Sequence, residues 1–191
     1  HMGVTLFFVL SGFLICLRYY DTCEINGTWF RKYIKNRIAR IYPMYLILTI
    51  ATFAYFWIFG GNNVQNGLSA PVAILLMNIF FLRGFFDDLK FTGVSQGWSL
   101  TVEECFYFLA PFFFMHIKKR KTALIYLPLI LLGTGSLLVL IFSNVHFFGF
   151  FGNFKFMFLY TFLGRCVEFF LGMGLALIIL KSDDTIKKFP L

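Results

Sequence analysis

Charge is scarce in this chain of 191 residues. Only 14% are Asp, Glu, Lys or Arg, against about 25% in ordinary soluble domains. Acid is scarcer still, with 9 Asp and Glu set against 17 Lys and Arg. The four cysteines, Cys16, Cys23, Cys105 and Cys166, have no paired spacing, which argues against a disulfide framework or a zinc site and for small core residues. No nucleotide-binding loop, HExxH, GxSxG or heptad pattern is present, and no internal repeat or low-complexity linker divides the chain. What fills the space is apolar. By type 59% of the residues are hydrophobic and 21% aromatic, and the mean hydropathy is +0.78. A single core of this size cannot hide such a surplus, because its surface needs polar cover. The composition therefore speaks against a soluble enzyme, a nucleic-acid binder and a disordered chain, and for an integral membrane protein.

The net charge of +8 is distributed in a way that supports this reading. Most of the Lys and Arg fall in three short clusters between apolar runs, Arg31–Arg40, Lys118–Lys121 and Lys181–Lys188. Such clusters mark the cytoplasmic loops of polytopic membrane proteins. The runs are long and continuous, not alternating, so the expected class is all-α, a polytopic helix bundle in one membrane domain over 1–191. Five runs read as spans: Val4–Leu17, Met44–Phe59, Trp98–Ile117, Thr122–Phe142 and Phe158–Leu180. The first enters directly after His1-Met2 and is expected to lack its start. A sixth run, Pro71–Leu82, has twelve residues, too few to cross. If it crossed, the first two basic clusters would lie on opposite faces of the bilayer. If it does not, all three lie inside, as the charge rule asks. Pro71–Leu82 is therefore expected to be a short re-entrant helix on the outer side, joined there by the loops Gly60–Ala70, Arg83–Gly97 and Ser143–Met157.

Four segments could carry chemistry, and each also has a plain structural reading. Ser11-Gly12 places a hydroxyl and a bare backbone inside a span, a device that also serves close helix packing. Phe30–Pro43 reads as a cytoplasmic amphipathic helix ending before Pro43. In it Arg31, Lys32 and Lys35 point away from the apolar face, while Arg37 and Arg40 turn toward the protein. Arginines there either snorkel to the interface or meet an anion, and the planar guanidinium suits phosphate. Trp98–Pro111 opens a span with adjacent carboxylates. Ser99, Glu103 and Tyr107 are four apart on one stripe. Ionisable groups in a span are candidates for function, although Ser99 as a cap with Glu103 and Glu104 at the positive helix end would explain the same pattern. In Gly164–Gly174, Arg165 and Glu168 are spaced to form an ion pair, and Gly172 and Gly174 read as packing positions. His116 adjoins a basic cluster and His146 lies in an aromatic outer loop; neither has a partner pattern, and no metal site is expected.

Taken in order, FFVLSGFLI, RxxRIYPMY, WSLTVEECFYFLAP and GRCVEFFLGMG resemble the acyltransferase 3 family of membrane acyltransferases across almost the whole chain. The resemblance implies transfer of an acyl group, often acetyl, from cytoplasmic acyl-CoA to a hydroxyl of an extracytoplasmic carbohydrate or glycoside. It implies no metal and no nucleic-acid partner, with membrane lipids around the protein and a bacterial inner membrane as the setting. It assigns Arg37 and Arg40 to acyl-CoA binding. It places Ser11 and Gly12 in the family's SGF motif, Trp98, Ser99 and Glu103 in its WSxxxE motif, and Arg165 and Glu168 in its later Arg/Glu helix. Glu103, supported by Ser99, becomes the candidate catalytic residue, with Tyr107 beside it. The family's catalytic His belongs to an earlier helix absent from this chain, so the chain is expected to be an internal part of the domain and inactive alone. A membrane transporter or acyl conduit, and a non-catalytic scaffold, remain the alternatives.

Overall fold

A computed structural model describes residues 2–24, 26–59, 71–144 and 147–187. The loop Gly60–Ala70, His1, His146 and Lys188 lie outside the described residues, as does part of the loop 143–157. Among the described residues seven α-helices follow one another: α1 (Met2–Tyr19), α2 (Gly27–Phe59), α3 (Pro71–Ile79), α4 (Trp98–Lys119), α5 (Ala123–Phe142), α6 (Phe154–Tyr160) and α7 (Phe162–Lys187). Single 3₁₀ turns at Leu82–Phe85 and Ser95–Gly97 connect α3 to α4. Among the described residues five helical stretches are long and apolar enough to cross a membrane, and the chain is a multi-pass membrane protein. The fifth is assembled from α6 and α7, which are separated at Thr161.

One expected boundary is corrected. The amphipathic segment does not end before Pro43. It forms the first part of the 33-residue α2, which runs through Pro43 to Phe59. Proline removes one backbone donor, whereas a break inside a bilayer would expose a whole turn of unpaired groups. The continuous helix is the cheaper solution.

Contacts between helices give the direction of each pass. Val9 and Gly12 of α1 meet Gly172 and Phe169 of α7, and Thr5 meets Arg165, so α1 and α7 run parallel. Lys118 at the end of α4 donates to the carbonyls of Asp21 and Cys23, and Lys121 donates to the Tyr20 hydroxyl. The end of α1, the start of α2, the end of α4 and the end of α7 therefore share one end of the bundle, and the three basic clusters of the sequence are attached there. At the opposite end Tyr45 of α2 donates to the carbonyl of Asn78, and Arg83 reaches from the turn after α3 to the carbonyl of Val94, just before α4. The segment between α2 and α4 thus leaves and returns at that same end, and α3 does not cross.

The main core lies among α1, α4, α5 and α7, built on Phe8, Phe106, Phe114, Cys166, Phe169 and Met173. Its tightest seam is α1 against α7. A Cβ on Gly12 would stand 2.2 Å from the Phe169 carbonyl oxygen, and one on Gly172 would stand 2.0 Å from that of Val9. The packing role expected for Gly172 is present. Gly174 differs: nothing lies within 4 Å of its Cβ position, so it faces away from the seam.

Candidate functional site

Three helices meet at the middle of the bundle. Ser11 is the tenth of the eighteen residues of α1. Arg37 lies ten residues into α2, ~15 Å from the basic end, and Glu103 lies five residues into α4, ~8 Å from the opposite end at the rise of a regular helix. One chain of polar groups joins them. The Ser11 hydroxyl donates to Glu103 Oε1 at 2.8 Å and lies 3.1 Å from the Tyr107 hydroxyl. The Tyr107 hydroxyl donates to the same carboxylate oxygen. Glu103 and Tyr107 are one helical turn apart, which puts both on one face of α4. Ser11, Glu103 and Tyr107 are all buried.

Arg37 completes the arrangement. Only 6% of it is exposed. Its guanidinium carbon lies 5.7 Å from the centre of the Tyr107 ring and 5.1 Å from that of Tyr19, and its Nη2 donates to the Tyr19 hydroxyl at 2.8 Å. Two aromatic faces suit a delocalised cation. Its Nε is buried without an acceptor. Arg37 and Arg40 line, with Ser11, Glu103 and Tyr107, a cavity of about 220 Å³ whose other walls are apolar. Arg40 is the more exposed of the two arginines. The cavity thus joins cationic donors suited to phosphate to a carboxylate that already gathers two hydroxyls.

The remaining residues singled out in the sequence fall elsewhere. Arg165 and Glu168 form the ion pair that their spacing allows, with Nε to Oε2 at 3.1 Å, and Arg165 Nη2 donates to the Thr5 hydroxyl. The Arg165 guanidinium carbon lies 5.5 Å from the centre of the Phe8 ring. Trp98 meets that same ring edge-on and also packs on Tyr160. This group surrounds Phe8 and does not line the cavity. Gly12 belongs to the α1–α7 seam. Ser99 is not part of the Ser11 network and makes no N-cap: its hydroxyl donates back to the carbonyl of Gln96, and the cap position is Gly97. Glu104 faces away from Glu103, onto the other side of α4. His116 lies 2.9 Å from the Phe112 carbonyl oxygen at an exposed position. All four cysteines are free; Cys16 and Cys166 are buried, whereas Cys23 and Cys105 are only partly so.

Two residues that the sequence did not single out matter here. Tyr19 holds Arg37, and a tyrosine at the end of a span is too common to draw notice. Arg83 is fully buried and donates to Asn78 Oδ1 at 2.7 Å and to the Val94 carbonyl. Its signal was available, since an arginine inside Phe80-Phe81-Leu82-Arg83-Gly84-Phe85-Phe86 has few polar neighbours to explain it. A Cβ on Gly97 would stand 1.8 Å from Arg83 Nη2, so the glycine before Trp98 makes room for this side chain.

Comparison with known proteins agrees with the sequence motifs. The family model described as an acyltransferase domain, Acyl_transf_3, matches residues 1–189. An uncharacterized protein of Haemophilus influenzae is 29% identical over 121 residues, covering 60% of this chain and 49% of that protein. The O-acetyltransferase OatA of Staphylococcus aureus is 29% identical over 132 residues, covering 63% of this chain and 21% of OatA. The chain thus matches about half or less of the length of these relatives. No solved structure matches it. This chain belongs to the acyltransferase 3 family.

Proposed function

We propose that this chain, as a member of that family, carries part of a membrane O-acyltransferase that moves an acyl group, acetyl in the simplest case, from cytoplasmic acyl-CoA to a hydroxyl of an extracytoplasmic carbohydrate. The observation that carries the reading is the shared cavity. Tyr107 contributes its ring to the Arg37 guanidinium and its hydroxyl to Glu103, so an anion-binding group and a hydroxyl-gathering carboxylate meet at mid-depth. The charge rule makes the basic end cytoplasmic, which puts Arg37 and Arg40 on the side where the phosphates of a CoA thioester arrive. Glu103 then faces a hydroxyl entering from the other side. Such a hydroxyl would take up the hydrogen bond that Ser11 now makes, and would be held by it for attack on the thioester carbonyl. In the transfer the acceptor oxygen–carbon bond forms and the carbon–sulfur bond breaks. The acceptor proton leaves with the CoA thiol. The name O-acetyltransferase carried by OatA supports acetyl as the group transferred and a hydroxyl as its destination.

The test is acyl transfer by the full-length protein in proteoliposomes. Acetyl-CoA is supplied on the basic side and a soluble glycan on the other, and thiol release and O-acetylated glycan are both followed. Stoichiometric release and acetylation, weakened in Arg37→Ala at subsaturating acetyl-CoA, support the reading. Release without acetylated glycan, or passage of acetyl-CoA itself across the membrane, would replace it with hydrolysis or with a conduit.

A further inference from the structure

Arg83 is the largest fully buried side chain among the described residues, so it touches no substrate in this arrangement. Its partners are neutral. Nη1 donates to Asn78 Oδ1 at 2.7 Å, Nη2 donates to the Val94 carbonyl, and Nε has no acceptor. Among the described residues no carboxylate pairs with it. Desolvating a cation is costly, and an apolar side chain of similar volume would fill the same space at lower cost. A buried charge kept against that cost has its best-attested use in fixing a register that apolar packing leaves free.

The register at stake is that of α4. Its cap position, Gly97, has no side chain to anchor the first turn. The anchors come from the segment before it. The Val94 carbonyl accepts from Arg83 and also from the Gly97 N–H, the latter at 2.9 Å. The 1.8 Å between a Cβ on Gly97 and Arg83 Nη2 shows that the guanidinium lies directly against the backbone of the helix start. One turn on, the Thr101 hydroxyl donates to the Phe81 carbonyl at 2.8 Å, and a Cβ on Gly84 would stand 2.5 Å from that of Thr101. Asn78 carries the bracket back to α2: its side chain accepts from Arg83, and its carbonyl accepts from Tyr45 at 2.9 Å. Arg83 thus joins α2, α3 and the start of α4 at the end of the bundle opposite the basic clusters. Glu103 lies two residues beyond Thr101, ~3 Å along the axis, and receives the Ser11 hydroxyl on the other side of α4. A displacement of ~1 Å in the first turns would move that carboxylate off its partners, and a misplacement of that size can cost a reaction about 100-fold.

We infer that Arg83 is a positioning residue for acyl transfer: its bracket across Asn78, Val94 and Gly97 fixes the height and rotation of the first turns of α4, and so holds the Glu103 carboxylate against Ser11. The inference rests on the proposed reaction, in which Glu103 orients the acceptor hydroxyl.

The experiment compares the full-length protein in proteoliposomes with Arg83→Lys, Gly97→Ala and the double variant. Lysine keeps the charge but lacks the fork that holds Asn78 and Val94 together. In Arg83→Lys, kcat should fall about 10- to 100-fold, while KM for acetyl-CoA stays within about twofold, because no transition-state-independent contact to the donor is removed. Gly97→Ala keeps Arg83 but displaces its Nη2, and should give the same split. The double variant should stay within about threefold of Arg83→Lys, since lysine leaves the space that the new methyl group needs. Multiplied losses in the double variant would show that the two positions act separately and would overturn the bracket. So would a rise in KM that matches the fall in kcat, or an unchanged kcat in Arg83→Lys alongside earlier thermal unfolding, the pattern of a merely structural arginine. Deuterium uptake over 97–107 gives a readout without turnover. It should quicken in Arg83→Lys while uptake over 162–176 stays the same, and unchanged uptake over 97–107 would overturn the inference by itself. Absence of transfer by the unchanged protein would sink the proposed function and with it the catalytic part of this inference, while the uptake still reads whether Arg83 holds α4.

Discussion

Glu103 and Glu104 are neighbours in sequence and opposites in setting. The ~100° step between successive helix residues sends the first into a closed polar network and the second into an open apolar groove. Around Glu103, two hydroxyls donate to one carboxylate oxygen, and Arg37 lies over the ring of one donor. Around Glu104 there are Ile38, Tyr42, Phe108 and Leu109. Buried polar groups settle where their partners are. The two sides of α4 therefore differ in their surroundings: a hydrogen-bonded polar network on one side and a largely apolar wall on the other. Identical chemistry at two adjacent positions does not make two equivalent residues.

The comparison breaks first if the two carboxyls contribute equally to transfer. In the full-length protein, Glu103→Gln is expected to lower the rate by about 100-fold or more, the scale of a lost acid–base or orienting group, while Glu104→Gln stays within about threefold. Both rates are measured at saturating acetyl-CoA, with expression and thermal unfolding compared alongside. Equal losses would mean that α4 acts as a unit and that the network around Ser11 is structural.

The second test moves to the basic end. Arg37→Ala should weaken acetyl-CoA use by about 10- to 100-fold, the worth of one or two charged hydrogen bonds, and most of the loss should appear in KM. Lys32→Ala, which removes the same charge from an exposed position on the same helix, should leave KM within about twofold. If the two variants match, the cluster works only as a membrane anchor, and the closed side of α4 loses its donor-binding role.

How much of this was legible in the sequence depends on what fixes each feature. The spans, the basic clusters at one end and the non-crossing α3 follow from hydropathy and charge, because the bilayer imposes length and sidedness on every helix. The Arg165–Glu168 pair and the inward turn of Arg37 follow from helical period. What period could not supply was which neighbour stands opposite each face. Ser99 shares the stripe of Glu103 and Tyr107, yet lies a turn too near the end of α4 to meet Ser11. Gly172 and Gly174 read alike in sequence, but only Gly172 falls against Val9. The continuous α2 departs from the expected stop at Pro43 because proline rules drawn from water understate the cost of breaking a helix in lipid. Arg83 lies in a segment that hydropathy reads as a loop, and helical period does not bring Asn78 and the Val94 carbonyl to it.

A third prediction sharpens the comparison by loosening the closed side. Gly172→Val drives a side chain into the Val9 carbonyl and should destabilise the bundle by about 1–3 kcal/mol, the usual cost of overpacking. Gly174→Val, which meets open space, should change stability by no more than about 0.5 kcal/mol. Thermal unfolding in one detergent reads both. If Gly172→Val unfolds no earlier, the α1–α7 seam is not what holds Ser11 against Glu103.

The smallest expected effect concerns two serines, Ser11 on α1 and Ser99 at the start of α4. Ser11→Ala removes a hydroxyl that donates to Glu103 at 2.8 Å and should cost about fivefold to tenfold in rate, since the net worth of one hydrogen bond is about 1 kcal/mol. The loss stays modest because Tyr107 still donates to the same carboxylate oxygen and the incoming hydroxyl replaces Ser11 there. Ser99→Ala removes a hydroxyl that serves only the Gln96 carbonyl and should change the rate less than twofold. Ser11→Thr separates the two explanations of the Ser11 effect. It keeps the hydroxyl and adds a methyl group at the α1–α4 contact. Retained activity in Thr but not Ala identifies the hydrogen bond as the contribution, whereas loss in both with normal activity in Ser99→Ala identifies the close packing. A larger loss in Ser99→Ala than in Ser11→Ala would place the reacting groups at the outer end of α4 and not in the central cavity.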